Sequence, residues 1–192
     1  MATSVNSNVY TVGEDTVFLL KGVLYLLPVE GSVCEIGCGS GLITEELASH
    51  CIEVVATDVT FNATNIAWKR IKRGGLAEHV HIICCDRLEA LREGEIFTLI
   101  TFNPPYLPSE DRDFQYSGGP TGIETPLLFV FSALRRLRIN GILLFLLSSL
   151  SSWKKALHIT RLLGLLPSII GVKKIGLYEE LLLIAAAYPK LS

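Results

Sequence analysis

Asn103-Pro104-Pro105-Tyr106 is the run whose residue types say most about chemistry. Two adjacent prolines fix the backbone and remove two amide donors, which leaves carbonyl oxygens free to accept hydrogen bonds. A planar NH2 group can then donate to the Asn103 side-chain oxygen and the Pro104 carbonyl, with Tyr106 stacked on the flat acceptor. Such a slot aims a nitrogen lone pair. Amide and amino nitrogens are poor nucleophiles because that lone pair is delocalised, so orientation and local electrostatics are the catalytic terms available. No strong general base is needed, since the proton can leave after a group has been transferred to nitrogen.

A second constellation lies upstream. Glu35-Ile36-Gly37-Cys38-Gly39-Ser40-Gly41 follows an apolar run and opens an amphipathic one. Glycines there allow a tight turn and let a ligand approach the backbone beside the positive end of a helix. The third glycine falls one place early for the nicotinamide pattern G-x-G-x-x-G. Asp58 stands about 20 residues beyond the turn, where an acid can bond both ribose hydroxyls. Asp86 ends the next apolar run. Singly, each aspartate reads as a helix N-cap or a turn residue. Together with the glycine turn they make three ligand positions on one sheet edge.

The elements that must hold these residues are legible as alternating apolar and amphipathic runs. Strands are expected at 32–36, 52–57, 80–85, 96–102, 141–148, 168–175 and 180–187, and helices at 14–27, 41–50, 62–74, 124–138 and 151–164. Near-continuous apolar strands separated by helices imply an α/β fold with a mostly parallel, seven-stranded sheet covered on both faces. The last two strands have no helix between them and are expected to pair as an antiparallel hairpin around Gly176. Residues 103–123 form a long aperiodic stretch after a strand, as functional loops do. The 192 residues are expected to form one domain, with a helical segment over about 1–30 packed on the ligand site.

The chain has 17 Lys+Arg against 19 Asp+Glu and 49% hydrophobic residues, and its mean hydropathy is +0.43. These figures exclude a disordered chain and a strongly basic polyanion binder. No run approaches the ~20 apolar residues of a spanning helix, and no signal peptide is written at the N-terminus. A cytoplasmic protein is expected, with an apolar face covered by a partner. Five cysteines (Cys34, Cys38, Cys51, Cys84 and Cys85) without a paired C-x-x-C read as buried thiols, and no metal site is expected.

The E-x-G-x-G-x-G turn resembles the first motif of class I S-adenosylmethionine-dependent methyltransferases, and the NPPY run is similar to that of their amino- and amide-directed members. Val9-Tyr10-Thr11-Val12-Gly13-Glu14-Asp15-Thr16 resembles the V-Y-x-P-x-E-D-T signature of eukaryotic HemK-like glutamine methyltransferases. Ser117-Gly118-Gly119-Pro120-Thr121-Gly122 resembles their W-A-G-G-x-x-G loop, and Tyr178-Glu179-Glu180-Leu181 their C-terminal run. Departures are Val12 for Pro, Arg87 for an apolar residue, and Tyr116-Ser117 for Trp-Ala. The resemblance implies a Rossmann-like fold, S-adenosylmethionine as cofactor, and methylation of the glutamine in the Gly-Gly-Gln motif of the class I translation termination factor. It implies that Asp15 and Thr16 close over the methionine end, that Glu35, Gly37, Gly39 and Gly41 form the turn, and that Asp58 holds the ribose. Asp86 and Arg87 would flank the adenine, Asn103 would bind both the cofactor and the substrate glutamine, and Pro104 and Tyr106 would complete the slot. The resemblance also implies a heterodimer with a small zinc-binding activator, placed at strand 80–85 and helix 62–74. Bacterial relatives carry a helical domain before the glycine motif, and the short form without it is expected here.

Two other functions share these motifs. A nucleic-acid amino methyltransferase would use the same slot, with Lys69-Arg70-x-Lys72-Arg73 and Arg135-Arg136-x-Arg138 on phosphates; the slight net negative charge speaks against it. A non-catalytic scaffold would have no physical need for Glu35, Asp58, Asp86 and Asn103 together.

Overall fold

The computed structural model describes residues 13–110 and 117–189. Positions 9–12 and Tyr116, which carry part of the resemblance, lie outside them. The elements in chain order are α1 (Glu14–Leu26), β1 (Ser32–Ile36), α2 (Leu42–His50), β2 (Glu53–Asp58), α3 (Phe61–Arg73), β3 (Val80–Cys84), β4 (Phe97–Phe102), α4 (Glu124–Leu134), β5 (Leu137–Ser148), α5 (Trp153–Leu162), β6 (Leu166–Ile175) and β7 (Glu179–Ala187). The seven strands form one sheet in the order β3-β2-β1-β4-β5-β7-β6. β7 pairs antiparallel with both β5 and β6, and the other pairings are parallel. The expected C-terminal hairpin is present, with Gly176 at φ 61° in its turn.

Period-two alternation divides each central strand between two cores. Along β5, Leu143, Phe145 and Leu147 pack with Val130 and Ala133 of α4 and Ala156 and Leu157 of α5. Leu144 and Leu146 point the other way, onto Leu19 and Val23 of α1, Ile43 and Leu47 of α2, and Ile71 of α3. A strand buried on both faces must therefore read as an unbroken apolar run. Each fully buried leucine contributes about 1.5–3 kcal/mol, so the sheet centre anchors the fold and leaves the strand ends available for chemistry.

The boundaries fall within two residues of expectation except at one junction, where the helix end and the strand start, expected at 138 and 141, both move by four. The helix expected to reach 138 stops at Leu134, and β5 begins at Leu137. Its amphipathic spacing runs on through Arg135 and Arg136, but Arg136 is buried and its guanidinium donates to the carbonyls of Ser132 and Leu91. That anchoring ends the helix and starts the strand. Two further arginines of the basic runs are likewise occupied. Arg70 donates to the Ser40 carbonyl and pairs with Glu45 at 2.8 Å, and Arg135 pairs with Glu93.

Candidate active site

The segments that follow β1, β2, β3 and β4 line one cleft of about 680 Å³, at the carboxyl ends of the parallel strands where open α/β sheets bind ligands. It holds Glu35–Ser40, Asp58–Thr60, Asp86–Arg87 and Asn103–Leu107. Asp15 and Thr16 from the first turn of α1, Leu42 and Ile43 of α2, Ala63 of α3, and Thr125 and Phe129 of α4 complete it. Small-molecule sites commonly span roughly 300–1,000 Å³, so the volume suits a nucleoside-sized ligand.

The glycine turn presents bare backbone to this cleft. The N–H groups of Gly37 and Cys38 donate to the Thr57 carbonyl at 2.8 and 2.9 Å, which ties the turn to β2. A Cβ on Gly39 would meet nothing within 4 Å, and one on Gly37 only Phe129, at 4.0 Å. The open side is therefore ligand space. Gly41 was grouped with the cofactor residues on sequence grounds, yet it is absent from the cleft wall. Its φ is 75°, and a Cβ there would lie 2.8 Å from the Ala67 Cα, so this glycine lets α3 approach the start of α2. Gly41→Ala is expected to cost about 2–4 kcal/mol, from left-handed strain plus overpacking, and to show as a lowered melting temperature.

Asp58 combines a structural role with its expected one. Its Oδ2 accepts from the Gly39 N–H at 3.0 Å, and its Oδ1 from both the N–H and the hydroxyl of Thr60 at 2.9 Å. Thr60 is the N-cap residue of α3. The carboxylate thus braces the turn and the next helix, and lone-pair capacity remains for a ribose hydroxyl. At the end of β3, Asp86 pairs with Arg87 at 2.9 Å, and Arg87 takes a φ of 46°. Both residues line the cleft, and the arginine competes for the acid.

Glu35 is buried and accepts from the Thr44 hydroxyl. Burial pushes its carboxyl from 4.5 up to about 8; the Thr44 bonds oppose the rise and Asp58 adds to it. The thiols of Cys34 and Cys38 are pushed up as well, chiefly by burial, so neither supplies a thiolate nucleophile; Cys84, expected to be buried, is exposed. Among the described residues no group of three or more His, Cys, Asp or Glu is placed to hold a metal ion.

Asn103 continues directly from β4. Its Nδ2 donates to Asp15 Oδ2 at 2.9 Å, while its Oδ1 is buried without a hydrogen-bond partner. The Tyr106 hydroxyl donates to the same Asp15 oxygen at 3.2 Å. The Gly-Gly loop supports this run, with the Gly118 N–H on the Leu107 carbonyl at 2.8 Å and the Ser109 N–H on the Gly119 carbonyl at 3.0 Å. A buried, unsatisfied carbonyl oxygen costs about 1–3 kcal/mol, so a donor from outside the chain is implied there.

Nine of the ten cofactor residues read from the sequence, Asn103 among them, line the cleft, as do Pro104 and Tyr106. Thr44 and Phe129 were missed. Thr44 gives no motif signal beyond its place in α2, nine residues after Glu35. Phe129 reads as a core aromatic, and it does pack on Phe102 with ring centroids 5.5 Å apart. Bare backbone at Gly37 and Gly39, acids at two strand ends and an apolar ring together fit an adenosine with a short charged tail.

Comparison with known proteins gives the site a family. A model of a methyltransferase domain matches residues 33–115. A relative from Methanocaldococcus jannaschii, named as a protein N5-glutamine methyltransferase, is 31% identical over 186 residues, which cover 93% of this chain and 91% of the relative. A release factor glutamine methyltransferase of Rhodopirellula baltica is 30% identical over 131 residues. That match takes in 61% of this chain and 44% of the relative, so the chain spans less than half of that bacterial protein's length. Among solved structures, the Mtq2–Trm112 complex of E. cuniculi, responsible for methylation of the eRF1 translation termination factor, matches with a TM-score of 0.78 and 26% identity, covering 94% of this chain and 99% of the matched chain. With the archaeal identity running nearly the full length of both proteins, the chain belongs to the protein N5-glutamine methyltransferases, enzymes that move a methyl group from S-adenosylmethionine to a glutamine side-chain nitrogen.

Proposed function

We propose that the acceptor is the glutamine of the Gly-Gly-Gln motif in the class I translation termination factor, and that the chain works as the catalytic half of a heterodimer with a small zinc-binding activator. The observation that carries this reading is the unpartnered Asn103 Oδ1 beside Pro104 at the cleft wall. A primary amide has two N–H donors. One bonds Asn103 Oδ1 and the other the Pro104 carbonyl, while Tyr106 packs on the amide plane. Two bonds in that plane leave the nitrogen lone pair directed out of it, towards the cofactor side of the cleft. S-adenosylmethionine supplies an electrophilic methyl group when bound. Asn103, Pro104 and Tyr106 fix the angle of attack, and the amide proton is shed to water once the nitrogen carries its new bond.

In the same proposal Asp58 holds the ribose, Asp86 and the Arg87 backbone flank the adenine, and Thr16 meets the methionine end. Glu35, Gly37 and Gly39 shape the turn. Asp58→Ala is expected to weaken cofactor binding by about 1.5–3 kcal/mol, the range for hydrogen bonds to a charged acceptor. Calorimetric titration reads this directly, and an unchanged affinity removes Asp58 from the cofactor contacts.

The resemblance implies an activator at the β3 edge and α3, and the contrast between the two edges of the sheet supports that placement. β6 carries Pro167, a register shift between Ile169 and Gly171, and Lys173 and Lys174, the devices that blunt an edge. β3, Val-His-Ile-Ile-Cys, has none of them. Phe61 at the start of the neighbouring α3 is 76% exposed, a large apolar side chain that a partner would cover. The likeness to an Mtq2–Trm112 complex supports the same pairing. Among the described residues no helix is long and apolar enough to cross a membrane. The reading carries with it a single methyltransferase domain over 1–192 in the cytoplasm, in which the first turn of α1 brings Asp15 and Thr16 to the cofactor site.

The test is transfer of a radiolabelled methyl group to the termination factor, with the activator co-expressed. The control is the same factor with the motif glutamine changed to arginine. Label on the first and none on the second is the expected result. Cofactor binding with no label on either overturns the assigned substrate.

A further inference from the structure

The amide of Asn103 works in only one orientation. With Oδ1 towards the acceptor it receives an N–H; rotated by half a turn about its terminal bond it would present its own NH2 to the substrate's NH2, donor against donor. The two orientations have almost the same shape, so packing alone cannot choose between them. Something with a fixed hydrogen-bonding polarity must.

Asp15 has that polarity. It lies in the first turn of α1, 88 residues before Asn103 in the chain, and is only 7% exposed. Its carboxylate receives donors on both oxygens: the Thr16 N–H on Oδ1 at 2.7 Å, and Asn103 Nδ2 with the Tyr106 hydroxyl on Oδ2 at 2.9 and 3.2 Å. An ionised carboxylate only accepts, so the group facing it must be the amide nitrogen, and the amide oxygen is left at the other end without a partner. The Tyr106 hydroxyl on the same oxygen couples the ring to the amide. We infer that Asp15 is a positioning residue for methyl transfer, which locks the Asn103 amide in its accepting orientation and anchors Tyr106, rather than a residue whose main contribution is to cofactor affinity. This deepens the reading of Asn103 as the acceptor for the glutamine N–H and rests on it.

Asp15→Asn tests the inference with little change in shape. An amide at position 15 offers one accepting end where the carboxylate offers two, so the donors from Thr16 and from Asn103 with Tyr106 cannot all be satisfied. The expected result is a kcat lowered about 10- to 100-fold, the range for one lost orienting contact, with cofactor affinity within about twofold of the parent. In an Asn103→Ala background the same change at Asp15 is expected to lower kcat by clearly less than it does in the parent, because no amide is left to orient and only the anchoring of Tyr106 remains to be lost. A readout free of turnover is hydrogen exchange at the Asn103 side-chain NH2 in nuclear magnetic resonance spectra of the full chain. Those protons are expected to be protected in the parent and to lose at least tenfold of their protection in Asp15→Asn, while backbone amides of β4 and β5 keep theirs.

Cofactor affinity falling as far as kcat would overturn the assignment and make Asp15 a cofactor residue. Multiplying losses in the two backgrounds would overturn it too, as would an unprotected Asn103 amide in the parent. Failure of the underlying reading looks different: Asn103→Ala alone would then turn over at the parent's rate.

Discussion

Asn103→Ala is expected to lower kcat for glutamine methylation by about 10²–10³-fold, the loss typical of removing one preorganised hydrogen-bonding group from a reacting centre. The fold is expected to survive. The substitution removes a buried oxygen that has no partner and one bond to Asp15, and these act in opposite directions on stability. The lost bond to a carboxylate costs about 1.5–3 kcal/mol, while deleting an unsatisfied buried carbonyl returns about 1–3 kcal/mol. Asp15 Oδ2 keeps its bond from Tyr106. Thermal melting should therefore move by only a few degrees while turnover collapses, which is the signature of a group kept at some cost to the folded state because the reaction needs it. Single-turnover transfer with saturating cofactor separates the effect from cofactor affinity. Near-normal turnover by a folded Asn103→Ala chain would remove Asn103 from the reaction.

The sheet was legible in the sequence because strands buried on both faces leave unbroken apolar runs, and β1, β4 and β5 end close to where those runs end. The start of β5 was not, because nothing local distinguishes a buried Arg136 that clamps two carbonyls from an arginine on a helix face. The glycine turn and the strand-end acids were legible as motifs, since Gly37, Gly39, Asp58 and Asp86 do local work that fixes their residue types. Gly41 shows the limit of that reasoning. It belongs to the motif, yet it faces Ala67 of α3 and serves helix packing. Contacts made across the chain stayed hidden. Asp15 reads as a first-turn acid of α1, and its bond to Asn103 exists only because the sheet order brings the start of α1 over the end of β4. Thr44 and Phe129 were invisible for the same reason: their residue types are ordinary, and only the fold gives them Glu35 and the cleft to face.

Glu35 makes a second large effect, on pH. With its carboxyl raised from 4.5 to about 8, the folded chain retains a proton that the unfolded chain releases. Below about 4.5 both states are protonated and Glu35 adds no slope. Between 4.5 and 8 the folded state binds more protons, so stability falls as pH rises, by up to about 1.4 kcal/mol per unit. Above 8 both states are ionised and the loss levels off. Summed over that window the contribution reaches several kcal/mol, and it is negative at alkaline pH because burial penalises the ionised carboxylate and the Asp58 charge adds to that penalty. Glu35→Gln keeps an acceptor for Thr44 and carries no proton equilibrium. Its melting temperature is expected to vary less than the parent's between pH 5 and 8.5 and to exceed the parent's at the upper end. A sulfonium cofactor in the same cleft favours the ionised carboxylate, so its affinity for the parent is expected to rise with pH up to about 8, and its affinity for Glu35→Gln to stay flat. Parallel melting curves for parent and variant across that range would show that Glu35 is charged throughout, and would assign it a permanent carboxylate role in the cofactor site.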